Sequence, residues 1–529
     1  MKNFDKFGVM LDCSRNAVPN VDSLKKYIKI ISGMGYNFLM LYTEDVYDIE
    51  GEPFFGYKRG KFSTEEIQEV DAYAKSVGVE LMPCIQTLAH LKMMMRWEKY
   101  AAMRDIDDIL LVDDDRTYEL VENMFRALSK QYTSRTIHLG MDEAHNVGLG
   151  KYLDQHGYTN RYELIMRHLN RVCEIAKKYG FEPMIWGDMF FRLVNKGSYK
   201  PVADFPSEMK DNVPENCSLV YWDYYREDYE QYLKMIDSTR LLTDKVWYAG
   251  GAWCWGSFAP HSRLSIKRNN LSIRACMEKG VRNAFLTIWG DDGAECPYFS
   301  TLPVLMHAAS VAEGIDEEEM KKRFYEATGE SFDAFIDLDL PNHIFGEDVM
   351  VSNAVYCKQK LYNDVFLGIL DKNSPEADGS CFTEYAKRLR RDGEESHGFK
   401  YLFDTMASLC EALEIKYALG ERTRKAYKEN DKVELERLAN SEYVECVARI
   451  NEFYKAFRTQ WYTVNKTYGF EVQDIRLGGI IKRIESCRER LLDYVGGKID
   501  KIDELCEDVM PHDDGLMCWW SRMYTANIL

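Results

Sequence analysis

The chain has 529 residues, 46% hydrophobic and 29% charged, an ordinary globular composition with enough apolar material for two or three domains. Its formal charge of −18, with no Lys/Arg cluster, argues against a nucleic-acid or anionic-membrane surface, because both need concentrated positive charge. No apolar run approaches membrane-spanning length, and residues 7–11 are too short for a signal sequence, so the expectation is a cytoplasmic protein with a small or neutral partner.

Eight short apolar runs follow one another, at 7–13, 36–42, 79–85, 135–141, 181–186, 217–222, 245–249 and 283–289. Helical patterns lie between them. Leu24, Tyr27, Ile28 and Ile31 share one helix face, as do Ile165, Leu169, Val172 and Ala176, and Ser63 with Glu66 three residues on forms a capping box. Eight strand–helix repeats predict a (β/α)8 barrel over residues 1–315. Residues 316–400 read as a connecting region, with 370–398, rich in Asp, Glu, Ser and Gly, as an exposed linker. Long helical patterns at 402–417, 433–459 and 475–509 predict a helical bundle over 401–529, which leaves room for a homodimer contact. Residues 461–479 read as a polar, aromatic loop that either reaches the barrel mouth or a dimer partner, or locks the bundle to the barrel.

The fourth run ends in "HLGMDEAH", which sets Asp142 and Glu143 where the chain turns out of the sheet. Two neighbouring carboxylates cannot both ionise freely, so one becomes a proton donor and the other a fixed charge. In an isolated pair, a helix N-terminus collecting acids to suit its dipole would explain them as well. The other strand ends weigh against that explanation. They carry Arg15, then Glu44 and Asp45, then Gln86 and His90, then Trp186 and Asp188, then Tyr221, Trp222 and Asp223, then Trp253 and Trp255, and finally Trp289, Asp291 and Asp292. Barrel enzymes build their sites at these ends. Indole faces interleaved with carboxylates and one Arg suit a sugar, which offers apolar C–H patches and pairs of hydroxyls.

These segments resemble glycoside hydrolase family 20, the β-N-acetylhexosaminidases. "HLGMDEAH" is similar to the family's His-x-Gly-Gly-Asp-Glu signature, "LDCSRN" to the first-strand segment ending in a sugar-binding Arg, and "LYTED" to the second-strand acidic segment. "PCIQTLAH" is similar to a third-strand segment ending in His, "VYWDYY" to a Tyr-x-Asp pattern, and "TIWGDD" to a final Trp-x-acid. The resemblance implies an exo-acting, retaining β-N-acetylhexosaminidase that releases terminal β-linked GlcNAc or GalNAc from an oligosaccharide or glycoconjugate through an oxazoline intermediate, with no cofactor and no metal. It implies Glu143 as general acid, Asp142 as the acceptor of the acetamido N–H, and Tyr221 as donor to the acetamido oxygen. Trp186, Trp253, Trp255 and Trp289 would wall the pocket, and Arg15, Asp223 and Asp291 would hold outer hydroxyls. His90 would bind beside the acid, with Glu44, Asp45 and His138 as supporting residues. Two departures stand out: Met141 replaces the usual second Gly, and Asp291 stands where many members have Glu. The barrel also begins almost at residue 1, as in an intracellular subgroup that lacks a preceding α/β domain.

Two other classes stay open. His138, Asp142, Glu143 and His145 are residue types that suit a divalent metal in a barrel hydrolase, although no His-x-His or His-x-x-x-His pair accompanies them. The 14 Cys hold no C-x-x-C pair and read as reduced core thiols. A non-catalytic sugar-binding protein would keep the Trp-lined pocket but has no need of a proton donor.

Overall fold

The computed structural model describes residues 3–347, 349, 355–373, 379–511 and 519–528. Eight parallel strands close into a barrel in sequential order: β1 Lys6–Asp12, β2 Phe38–Tyr42, β3 Glu80–Cys84, β4 Thr136–His138, β5 Glu182–Trp186, β6 Ser218–Trp222, β7 Val246–Gly251 and β8 Asn283–Ile288. Each predicted run supplies one strand. β1 closes the ring on β8, with Leu11 opposite Ile288. The flanking helices are α1 Val21–Gly33, α2 Thr64–Ser76, α3 Asp115–Gln131, α4 Arg161–Lys178, α5 Asp188–Val194, α6 Tyr229–Arg240, α7 Ser262–Glu278 and α8 Leu302–Glu313. The Ser63–Glu66 capping box is formed at the start of α2. Among the described residues, no helix is long and apolar enough to cross a membrane.

Alternation along each strand sorts side chains into two cores. Met10, Met40, Met82, Met184, Phe285 and Trp247 fill the barrel, while Leu11, Leu39, Leu81, Ile185 and Leu219 pack outward under the helices. The Phe38, Trp247 and Phe285 rings meet edge to face at 5.8 to 6.4 Å and plug the lower barrel. Gly8 makes room for that plug, since a Cβ there would lie 2.4 Å from the Phe38 ring. The floor is therefore solid, and the barrel's own cavity opens at the C-terminal ends of the strands.

Beyond the barrel come α9 Tyr356–Tyr362, α10 Cys381–Glu395, α11 Lys400–Lys428, α12 Lys432–Asn440, α13 Glu442–Val464 and α14 Phe470–Val495. Four expectations need correction. The stretch 370–398 is not a linker where it is described: α10 buries Phe382, Ala386 and Leu389 at helical spacing, and its many charges occupy the solvent face. Residues 374–378 lie outside the described residues. The pattern at 433–459 is broken at Ser441 into two helices, and that at 475–509 ends as a long helix at Val495. The 461–479 stretch is mostly the ends of α13 and α14, with only residues 465–469 between them.

That short connection fastens the bundle to the barrel. Asn465 bridges to Pro19, the Lys466 amide donates to the Val18 carbonyl at 2.8 Å, and the Lys466 ammonium lies 2.7 Å from Glu66. Trp461 is buried, its indole N–H donating to the Lys466 carbonyl at 3.2 Å. A second fastening lies at the barrel mouth. Asp292 and Glu295, after β8, face Lys358 of α9 at 2.7 and 2.6 Å and Arg476 of α14 at 3.0 and 2.8 Å. All four are nearly excluded from solvent, so the two anions and two cations neutralise one another where water cannot. Arg476 reaches the barrel mouth from the 461–479 stretch, as does Gln473, whose amide donates to the Gly293 carbonyl at 3.2 Å.

Candidate active site

A cavity of about 450 Å³ opens at the C-terminal ends of the strands. Asp142 and Glu143 form part of its wall. β4 stops after three residues because the backbone leaves the extended region: Gly140, Met141 and Glu143 have φ of 72°, 71° and 51°. Gly140 is required, since a Cβ would lie 2.0 Å from the Gln86 side-chain oxygen and 2.8 Å from the Ile85 carbonyl. Met141 keeps the left-handed conformation without being glycine. The strain there is about 1 kcal/mol, whereas burying its side chain contributes about 2 kcal/mol or more. Met141→Gly is therefore expected to lower the thermal unfolding midpoint despite its better backbone fit; an unchanged or raised midpoint would show that the strain dominates.

Gln86 fixes the turn and the acid together. Its oxygen accepts the Met141 N–H at 3.1 Å, and its amide nitrogen donates to Asp142 at 2.8 Å and to the Tyr42 hydroxyl at 3.0 Å. His90, at φ 57°, stands 3.3 Å from Asp142 and 3.8 Å from Glu143. Burial pushes the His90 imidazole down, but the Asp142 charge overrides it and raises the group to about 10. Burial would raise Asp142, yet His90 and the Gln86 amide hold it below the usual carboxylate range. Glu143 is raised, by burial and then by the Asp142 charge. The two neighbouring acids are thus shifted in opposite directions, the divergence that an acid–base pair needs.

Behind Glu143 lies a pair, the strand-end Asp188, given no role above, and Arg192, which the sequence reading did not single out. Asp188, at the start of α5, accepts the Arg192 Nε–H at 2.9 Å and the Glu143 amide N–H at 3.4 Å, and Arg192 lies 3.6 Å from the Glu143 carboxylate. Burial and the Asp142 charge push Asp188 up to about 7. His138 is buried, its Nδ1 accepting the Gly140 N–H at 3.0 Å and its ring 4.2 Å from that of Trp186; burial keeps it neutral by lowering it to about 3.

The opposite wall comes from β1, β2 and β8. Arg15 lies 2.6 Å from Asp291 and 3.0 Å from Glu44, and all three line the cavity. Asp12 makes this meeting possible by accepting the Gly290 N–H at 2.9 Å and the Ser14 N–H at 2.8 Å, which ties the ends of β1 and β8 together. Asp45 is turned away and paired with Arg59. Trp186, Trp222, Trp255 and Trp289 line the cavity; Trp253 does not, but stacks behind Trp255 at 5.5 Å and donates its indole N–H to the Trp255 carbonyl at 2.8 Å.

Two more of the expected residues lie outside the cavity. On β6, Val220 and Trp222 point into the barrel, so Tyr221 points outward, packed at 5.5 Å on Tyr248 under the helices. Its hydroxyl donates to Asp223 at 2.8 Å. Asp223 is itself consumed: it pairs with Arg226 and accepts the Tyr225 and Arg226 amides at 3.2 Å, an Asx-type turn. Tyr224, two residues beyond Trp222 in the same phase, lines the cavity, close enough to Asp142 to feel its charge and to interact with Trp289. Strict alternation in "VYWDYY" would have found it. Among the described residues, no group of three or more His, Cys, Asp or Glu side chains is arranged to hold a metal ion.

The family model for the glycosyl hydrolase family 20 catalytic domain matches residues 4–249, and that for the glycoside hydrolase 20C C-terminal domain matches residues 333–517. The chain belongs to glycoside hydrolase family 20. Hexosaminidase D of Bos taurus is 24% identical over 257 residues, 46% of this chain and 69% of its own length. Hexosaminidase D of Homo sapiens is 23% identical over 222 residues, 40% of this chain and 43% of its own. A solved β-N-acetylhexosaminidase from Bacteroides fragilis NCTC 9343 is 18% identical with a TM-score of 0.47, covering 61% of this chain and 69% of that one. The catalytic-domain match of family 20 ends inside β7, so Trp255, Trp289 and Asp291 lie beyond the matched residues, and the geometry of the cavity brings them to the site.

Proposed function

We propose that the protein is an exo-acting, retaining β-N-acetylhexosaminidase that uses the substrate's own acetamido group as nucleophile, a route by which family 20 departs from two-carboxylate hydrolysis. The observation that carries this is the Asp142–Glu143 pair, adjacent in one wall yet shifted in opposite directions, Asp142 down and Glu143 up. Glu143 protonates the glycosidic oxygen and later deprotonates water. Asp142, held anionic by His90 and Gln86, accepts the acetamido N–H and stabilises positive charge as the acetamido oxygen attacks C1. Tyr224, in place of Tyr221, supplies the hydroxyl that orients this oxygen, which as an intramolecular nucleophile has a high effective molarity. Trp186, Trp255 and Trp289 enclose the acetamido methyl and sugar faces, and Arg15, Glu44 and Asp291 receive the hydroxyls of the non-reducing end.

The test is release of 4-nitrophenol, with EDTA present, from the β-glycosides of N-acetylglucosamine, N-acetylgalactosamine and glucose. Release from one or both N-acetylated sugars but not from glucose is the expected result. No release would favour a sugar-binding protein, release abolished by EDTA a metal hydrolase, and equal release from glucose a mechanism without acetamido participation.

A further inference from the structure

Three aromatic rings stand partly exposed on the mouth side of the barrel. Phe54 and Tyr57 come from the loop after β2 and Trp97 from the loop after β3, with ring centroids 5.4 to 5.7 Å apart. Phe54 is 39% exposed and Tyr57 42%, while Trp97 is half-buried. The two loops are clamped beneath the rings: Glu52 is buried and takes the Lys99 ammonium at 2.6 Å and the Tyr100 hydroxyl at 2.9 Å, and Lys99 also donates to the Gly51 carbonyl at 3.0 Å. The cluster is thus held in place before anything binds, which lowers the ordering cost of a contact.

Both arms of the cluster run into the cavity. Arg59, two residues beyond Tyr57, lines it, and so do Lys92 and Met93, the latter four residues before Trp97. The β3-loop arm, which carries Trp97, is on the side of the acid, since Glu143 faces that loop through His90 at 3.8 Å, while the β2-loop arm enters through Arg59, which donates to the Ser14 carbonyl beside Arg15. Four residues span at most about 13 Å even fully extended. The rings therefore lie within reach of the second or third sugar of a chain leaving past Glu143.

We propose that Phe54, Tyr57 and Trp97 form an outer carbohydrate subsite that holds the leaving-group side of an oligosaccharide; this rests on the hydrolase reading above. Partly exposed rings suit the apolar C–H faces of pyranoses, and Arg96 and Lys58, whose charges lie 5.3 and 5.6 Å from the Trp97 and Tyr57 ring centroids, give the cluster a polar rim for hydroxyls. The alternative occupant, a second copy of the chain, needs about 800 Å² from each partner. Three rings of about 200 Å² each, less than half exposed, offer about 250 Å².

The experiment compares kcat/KM for the 4-nitrophenyl β-glycoside of N-acetylglucosamine with that for a series of β-linked N-acetylglucosamine oligomers of increasing length, in wild type, Trp97→Ala, Trp97→Phe and Tyr57→Ala. Wild type is expected to gain with oligomer length. Trp97→Ala should remove about three- to tenfold of that gain while leaving the aryl glycoside within about twofold, and Trp97→Phe should restore most of it. No length dependence in wild type, equal losses on both substrate types, or a change in sedimentation state with Trp97→Ala would overturn the subsite, the last by making the rings an interface between copies. Fluorescence titration of Glu143→Gln with the hexamer separates this proposal from the hydrolase reading. Binding weakened by adding Trp97→Ala supports the subsite even without turnover, and binding indifferent to it sinks the subsite even in an active enzyme.

Discussion

Glu143→Gln should lower kcat/KM by about 10²- to 10⁴-fold for oligosaccharides and far less for 4-nitrophenyl glycosides. A sugar alkoxide is a poor leaving group and needs the proton, whereas nitrophenolate departs without it. The pH profile gives an independent check. Burial and the Asp142 charge raise the Glu143 carboxyl, and bond cleavage needs its protonated form. Activity on oligosaccharides should therefore fall as pH rises through that raised value, and this alkaline limb should vanish in the Gln variant. Arg192, 3.6 Å from Glu143 and paired with Asp188 at 2.9 Å, pulls the carboxyl down and so offsets part of this rise. Equal losses on both substrate classes, or an unchanged alkaline limb, would remove Glu143 from the role of general acid.

Asp142→Asn should cost about 10²- to 10³-fold on both substrate classes, because the charge it supplies is needed when the acetamido oxygen attacks, whatever the leaving group. The amide is nearly the size of the carboxylate, so the Gln86 and His90 contacts can persist in outline while the anion is lost. A thiazoline mimic of the cyclised intermediate should bind wild type tightly and the variant poorly. Substrates carrying fluorinated acetyl groups should react progressively more slowly with wild type, since fluorine drains the attacking oxygen. A near-normal rate for Asp142→Asn, or indifference to fluorination, would point to a nucleophile other than the substrate.

The barrel was legible because its signal is repetitive: each strand is a short apolar run, and an error at one end leaves the count intact. The acids were legible because Asp142 and Glu143 fall directly after such a run. Tyr221 was misread because the resemblance to a Tyr-x-Asp pattern carried the tyrosine over without its phase, and period-two alternation in β6 turns it away from the cavity. Asp223 was misread with it, since a carboxylate that begins a turn looks in sequence like one that holds a hydroxyl. Residues 370–398 misled for a different reason: the buried face of α10 is narrow, and charge dominates its composition. Gln86 and Arg476 act through partners 56 and 184 residues away, a kind of information that only the folded chain contains.

The four buried charges joining β8 to the bundle make the catalytic barrel inseparable from the helices that follow it. Asp292 directly succeeds Asp291, the residue gripping Arg15, so the cavity wall built on Arg15 adjoins carboxylates neutralised by cations that α9 and α14 supply. Replacing Lys358 or Arg476 by a neutral residue in the whole chain would strand carboxylates in a place built for ion pairs, and orphaning a buried charge costs about 3–5 kcal/mol. Divergence in the bundle can thus retune substrate fit without touching a strand, and grafting this barrel onto a foreign partner would have to carry Lys358 and Arg476 along as part of the site.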